Sequence, residues 1–160
     1  MRLRQVALAV VVLSIGFWSA AAHVRAQAAD PLTGTWTLDV ARSTFSPGPP
    51  PKSLTLTFED TADGVKNQSD VVTPDGQTVH QEFIAKPDGK DYPVVGSSID
   101  AVALTRKGNM RTRVDKRAGK IVMNYEGVVS ADGKTFTVQQ KGTNAQGQAV
   151  SNTVVFVKKM

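Results

Sequence analysis

The side chains with the greatest chemical potential in this sequence are three arginines, Arg106, Arg111 and Arg113. Arg106 lies near the end of one alternating segment, Arg111 and Arg113 open the next, and Gly108-Asn109 separates the two as a turn. Period-two alternation puts Arg111 and Arg113 on one face, with Met110, Thr112 and Val114 on the other. Turned inward, the arginine face would form a cationic site for a carboxylate or phosphate head group. Turned outward, it is a solvated stripe. Arginines are seldom buried unpaired, so the outward orientation is the expectation.

The other reactive side chains are sparse. His80 is the one histidine beyond residue 28 and shares a face with Thr78, Glu82 and Ile84, opposite Val79, Gln81 and Phe83, so it is expected at the surface. With no cysteine and no second histidine, a zinc set would need carboxylates alone beside His80, and no metal site is expected. No serine sits in a Gly-x-Ser-x-Gly elbow, and no glycine-rich phosphate loop precedes a helix. Ser97 and Ser98, beside Gly96, read as turn residues, and Asp91, Asp100 and Asp115 have no partner at a diagnostic spacing. The sequence therefore predicts no catalytic residues, no cofactor and no enzyme.

The elements that must position these groups begin after an export signal. Arg2 and Arg4 form a positive start, Val6 to Ala22 is apolar apart from Ser14, Gly16 and Ser19, and Ala26-Gln27-Ala28 offers a small-residue cleavage pattern. Residues 1–28 are expected to be a cleaved secretory signal, with residues 29–160 as one domain in the periplasm or outside the cell and no stable membrane insertion after cleavage. The full chain carries 19 basic and 14 acidic side chains. Arg2, Arg4 and Arg25 lie within the signal, so the remainder is close to neutral, and a clustered-charge footprint for nucleic acid is not expected. A domain of this size without disulfides must be held by its core and its sheet.

Glycine turns divide that domain into strands. Asp63-Gly64, Asp75-Gly76, Asp88-Gly89 and Asp132-Gly133 supply the positive φ angles of tight turns, and Gly108-Asn109, Ala118-Gly119 and Gln146-Gly147 fall in similar gaps. Between them the chain alternates: Leu32, Gly34, Trp36, Leu38 and Val40 share one face, as do Leu54, Leu56 and Phe58, then Ile121, Met123, Tyr125, Gly127 and Val129, then Phe136, Val138 and Gln140, then Val150, Asn152, Val154, Phe156 and Lys158. Weaker strands cover 65–73, 78–86, 99–107 and 110–116. The pattern predicts an all-β, single antiparallel meander β-barrel of about 8–10 strands. The proline-rich stretch from Ala41 to Lys52 is expected to be an ordered loop pinned by Phe45, either over an open barrel end or as a plain connector. Tyr92 to Gly96 reads as a loop or a short extra strand.

Gly34-Thr35-Trp36 resembles the Gly-x-Trp signature of lipocalins and related calycins. The segments GTWTLDVARSTFSPGP at 34–49, DYPVVG at 91–96 and SADGKT at 130–135 resemble a group of small secreted bacterial lipocalin-like proteins. The resemblance implies that Trp36 plugs a closed barrel end and that Lys158, on the last strand, packs over its indole, with Gly34, Trp36 and Lys158 as the barrel-closing signature. It also implies that the first and last strands meet. The inward faces mix large residues with small ones, Ala85, Gly127 and, less clearly, Ala101 and Ala103, which favours some cavity over a filled interior. The expected function is binding of a small apolar or amphipathic ligand that enters away from Trp36, with Leu56, Phe58, Phe83, Arg111, Arg113, Met123, Tyr125 and Phe136 as candidate binding residues. The alternative is a structural or protein-interaction domain with a filled core.

Overall fold

The computed structural model describes residues 30–160, so the expected signal at 1–28 lies outside the described residues. Ten strands follow one another: β1 (Gly34–Leu38), β2 (Ser53–Thr61), β3 (Gly64–Val72), β4 (Thr78–Ala85), β5 (Asp88–Pro93), β6 (Ala101–Lys107), β7 (Met110–Arg117), β8 (Lys120–Val129), β9 (Thr135–Thr143) and β10 (Ala149–Lys158). Chain neighbours other than β4 and β5 pair antiparallel, and β1 pairs with β10, so the meander curls back on itself as a barrel in the spatial order β4-β3-β2-β1-β10-β9-β8-β7-β6-β5. β5 includes the Tyr92-Pro93 dipeptide, so the Tyr92 to Gly96 stretch begins in a short extra strand and runs on as loop.

The β4–β5 joint differs from the other nine. It carries one bridge, in which the Glu82 N–H donates to the Val95 carbonyl at 3.0 Å and the Val95 N–H returns a bond to the Glu82 carbonyl at 2.9 Å. Gly96 makes this approach possible. Its φ is +75°, and a Cβ there would collide with the His80 carbonyl, so no other residue fits the contact without displacing the loop.

Four details depart from the sequence pattern, each for a local reason. Asp88-Gly89 makes no hairpin turn; it lies inside β5, where the pairing with β6 slips between Asp88 and Asp91 as a bulge. In β8 the pairing passes from Asp115–Met123 to Lys116–Ile121, and the extra residue Val122 turns to the interior, leaving Ile121 59% exposed. In β6 it is Val102 and Leu104 that are buried, so Ala101 and Ala103 take the opposite face and open no interior space. Val40 leaves the inward row because Asp39 caps a short 3₁₀ turn (Val40–Arg42), its carboxylate accepting from the Arg42 N–H at 3.2 Å and from Nε at 2.7 Å.

The chain after that turn rejoins the wall. Thr44 exchanges both backbone bonds with Thr153 of β10, and the Ser151 N–H donates to the Ser46 carbonyl. Phe45, between them, packs on the main core. Residues 44–46 thus continue the β1 side of the barrel where β1 itself has ended.

Alternate hairpins define two ends. One end, called the floor here, carries the β2–β3, β6–β7 and β8–β9 turns and the incoming Asp30–Thr33 segment. The other, the mouth, carries the β3–β4, β7–β8 and β9–β10 turns and the proline-rich stretch. Phe136 centres an aromatic cluster toward the floor, with ring centroids 5.8 Å from Trp36, 6.3 Å from Phe58 and 6.0 Å from Phe156.

Candidate functional site

The floor is built from a short stretch of sequence. Asp30 folds the first turn: its Oδ1 accepts the Leu32 N–H at 3.0 Å, and its carbonyl accepts the Thr33 N–H at 3.0 Å. That turn delivers Leu32 beneath Trp36, whose indole N–H donates to the Leu32 carbonyl at 2.7 Å. Trp36 is wholly buried. On the same ladder, Lys158 pairs with Trp36 and holds Nζ 5.1 Å from the ring centroid. A Cβ on Gly34 would stand 3.0 Å from Lys158 Cε, and the φ of +120° there also demands glycine. Gly34, Trp36 and Lys158 therefore form one contact set.

Above this floor lies a cavity of about 220 Å³. Leu54, Leu56, Phe58 and Val71 line one side of the sheet, Phe136, Val138 and Phe156 another, and Phe83 and Leu104 come from β4 and β6. Of the candidate binding residues, Leu56, Phe58, Phe83, Arg111, Arg113, Tyr125 and Phe136 line this space, and Met123 does not. Met123 sits where the β8 ladder slips, with its sulfur 2.9 Å from the Cβ position of Gly142, so it packs onto β9.

Arg111 and Arg113 face inward, contrary to the outward orientation expected from their charge. The cost that disfavours a buried arginine is offset here by specific partners. Arg113 donates to both oxygens of Asp115, two residues along the same face, with Nη2 3.0 Å from Oδ2. Its guanidinium also lies 4.8 Å from the Phe83 ring centroid and 5.0 Å from that of Tyr125. The Tyr125 hydroxyl donates to Asp115 at 2.9 Å, and burial pushes the phenol up, so it stays protonated in that role.

Arg111 has a different environment. Its Nη2 pairs with Asp30 Oδ2, and Arg106 Nη1 stands 3.6 Å from the same oxygen. The Arg111 guanidinium lies 5.7 Å from the Phe58 centroid. Its side chain is 7% exposed, and neither Nε nor Nη1 meets a hydrogen-bond partner among the described residues. Burial lowers its pKa to about 10, which leaves it cationic at neutral pH. Gln81, another lining residue, has a buried Nε2 with no partner among the described residues either.

The remaining titratable residues stand elsewhere. His80 is exposed, with Nδ1 2.6 Å from Asp70 and Nε2 3.9 Å from Glu82. The Asp70 hydrogen bond is the main cause that raises the His80 pKa. Asp91 pairs with Lys116, and Asp100 accepts the Ala118 N–H. Asp115, read as an acid without a partner, is the buried partner of Arg113 and Tyr125. Among the described residues no three His, Cys, Asp or Glu side chains stand as a metal-binding group.

Sequence reasoning missed Asp30, Gln81, Ser69 and Asp115 as interior polar groups. Two of them carried a readable signal. Gln81 alternates with Phe83, and Asp115 shares the parity of Arg111 and Arg113, so a polar residue inside an apolar row and an acid two positions from an arginine both marked the site. Asp30 had none, since its partner Arg111 is 81 residues away.

No family model matches the chain, and no curated protein matches it. Solved structures resemble it in fold. The fluorescent protein UnaG superposes with a TM-score of 0.51 at 13% identity, over 80% of this chain and 97% of that one. Zebrafish ileal bile acid-binding protein complexed with cholic acid gives 0.48 at 16% identity, over 81% and 99%. The siderocalin Ex-FABP gives 0.42 at 8% identity, over 81% and 71%.

Proposed function

Taking a calycin-type β-barrel as the premise, we infer that this chain is an exported, non-catalytic protein that binds a small amphipathic molecule inside the barrel. The observation that carries the reading is the cavity itself, where an apolar wall from β2, β4 and β9 adjoins a buried cationic side chain with donors to spare. An interior meant only for packing has no use for that combination, because each unmatched buried donor costs about 1–3 kcal/mol. The volume of 220 Å³ falls below the usual range of roughly 300–1,000 Å³ for small-molecule sites, so the ligand is small or extends out through the mouth. Export rests on the tripartite N-terminus, and N-terminal sequencing of the processed protein is expected to begin at Ala29.

One observation favours the alternative of a filled-core interaction domain. The Phe136 ring occupies the space over Gly127, where a Cβ would stand 2.5 Å from the ring, so the small residue that suggested room accommodates an aromatic instead. Mass spectrometry of an organic extract from the natively purified protein separates the two. A reproducible stoichiometric small molecule supports binding. An empty extract together with no uptake of an uncharged fluorescent probe supports the interaction domain.

A further inference from the structure

We propose that the barrel is selective for a singly charged carboxylate amphiphile, whose head group is received at the floor by Arg111, and that Asp30 competes with that head group for the same guanidinium. The inference rests on the binding reading above and names the ligand class for the same cavity.

The two inward arginines are two residues apart on β7, yet they are not equivalent. Arg113 is matched: both Asp115 oxygens accept from it, and Phe83 and Tyr125 rings flank its guanidinium. Arg111 is matched at one nitrogen only, by Asp30, while Nε and Nη1 have no partner among the described residues although the side chain is more than nine-tenths buried. A buried guanidinium with open donors is satisfied best by an acceptor that also carries charge. Gln81 Nε2 adds a neutral donor to the same cavity wall.

Charge fixes the class. Asp30 and Asp115 already set two carboxylates against the guanidiniums of Arg106, Arg111 and Arg113, so a doubly charged head group would bring more negative charge than these three cations balance. A neutral head group would meet the open Nε and Nη1 donors without a charge of its own, in the weaker kind of hydrogen bond. A single carboxylate suits both conditions. Direction follows from the fold: Arg111 is the second residue of β7, next to the floor turn, whereas Leu54 and Val71 line the cavity where β2 and β3 approach the mouth. The head group therefore lies inward and the apolar tail points outward.

The test uses the processed full-length protein loaded with N-phenyl-1-naphthylamine, an uncharged fluorescent probe, and displaces it with decanoate, decan-1-ol or decyl phosphate at neutral pH. Decanoate is expected to displace the probe at a concentration at least ten-fold lower than either competitor. In Arg111→Gln that advantage over decan-1-ol should vanish. Since loss of Arg111 leaves Asp30 with Arg106 alone, at 3.6 Å, the paired variant Asp30→Asn/Arg111→Met, which removes both charges together, is measured alongside and should also lose the preference. Asp30→Asn alone should bind decanoate about ten-fold more tightly and gain more thermal stability from it than the unaltered protein does, a result that a purely structural Asp30–Arg111 pair would not give. Probe uptake without carboxylate preference overturns the head-group assignment and leaves the binding reading intact, as does tighter binding of decyl phosphate. Failure of the probe and all three amphiphiles overturns the binding reading itself.

Discussion

The floor of this barrel and the arginine layer just above it are held together in opposite ways. At the floor, Trp36, Phe58, Phe136 and Phe156 pack ring against ring, and the one polar group of Trp36 is answered four residues away by Leu32. Above it, Arg111 and Arg113 are buried by charge pairing, one partner coming from two residues along the strand and the other from the far start of the domain. Apolar packing tolerates imprecision, because contact area is what counts. A buried charge pair does not: removing one member leaves the other uncompensated. The two layers should therefore respond differently to truncation and to pair deletion.

The largest effect belongs to the floor. Trp36→Ala deletes the fully buried ring at its centre and is expected to cost about 4 kcal/mol of unfolding free energy, read from urea denaturation. Asp30→Ala comes next at about 3 kcal/mol, because it strands Arg111 and removes the cap on the Leu32 N–H. The contrast is sharpened by Asp30→Asn/Arg111→Met, which should restore most of that loss, whereas no second substitution at the floor should rescue Trp36→Ala as fully. If Asp30→Ala proves neutral, the arginine layer is not held by pairing, and the comparison fails.

This contrast also explains what could be read in advance. Alternation in β2, β9 and β10 named Leu56, Phe58, Phe136 and Phe156 as inward because burial acts residue by residue, and the Gly-x-Trp resemblance placed Lys158 beside Trp36 because both lie on strands that must meet. The bulge at Val122 was not legible, since a one-residue slip in pairing with β7 leaves no trace in the β8 pattern. The orientation of the arginines was missed for a related reason. It depends on who pairs with them, and the argument from charge alone holds only for arginines without partners.

Smaller effects probe the margins of both layers. Lys158→Ala removes the cation over the indole and should cost about 1 kcal/mol, with Trp fluorescence reporting the altered ring environment. At the outer surface, His80 donates a hydrogen bond to the Asp70 carboxylate, which raises the His80 pKa in the folded state. That contribution is fully present below the unfolded value of about 6.5 and is lost as pH rises through the higher folded value. The melting temperature of the native protein relative to Asp70→Asn should thus be slightly higher at pH 5.5 than at pH 8.5, and equal shifts at both would remove the pair from the account.

The joint between β4 and β5 is where the ring of main-chain bonds is thinnest. Elsewhere around the ring neighbouring strands are joined by ladders, short between β1 and β10 (Trp36–Lys158 to Leu38–Phe156) and spanning the whole of β2 and β3. At Glu82 and Val95 the main chain contributes two bonds, and Phe83, Ala85, Tyr92 and Val94 share one apolar cluster beside them. The barrel is built as a split collar of ten staves, with nine laddered seams and a single clasp at the tenth.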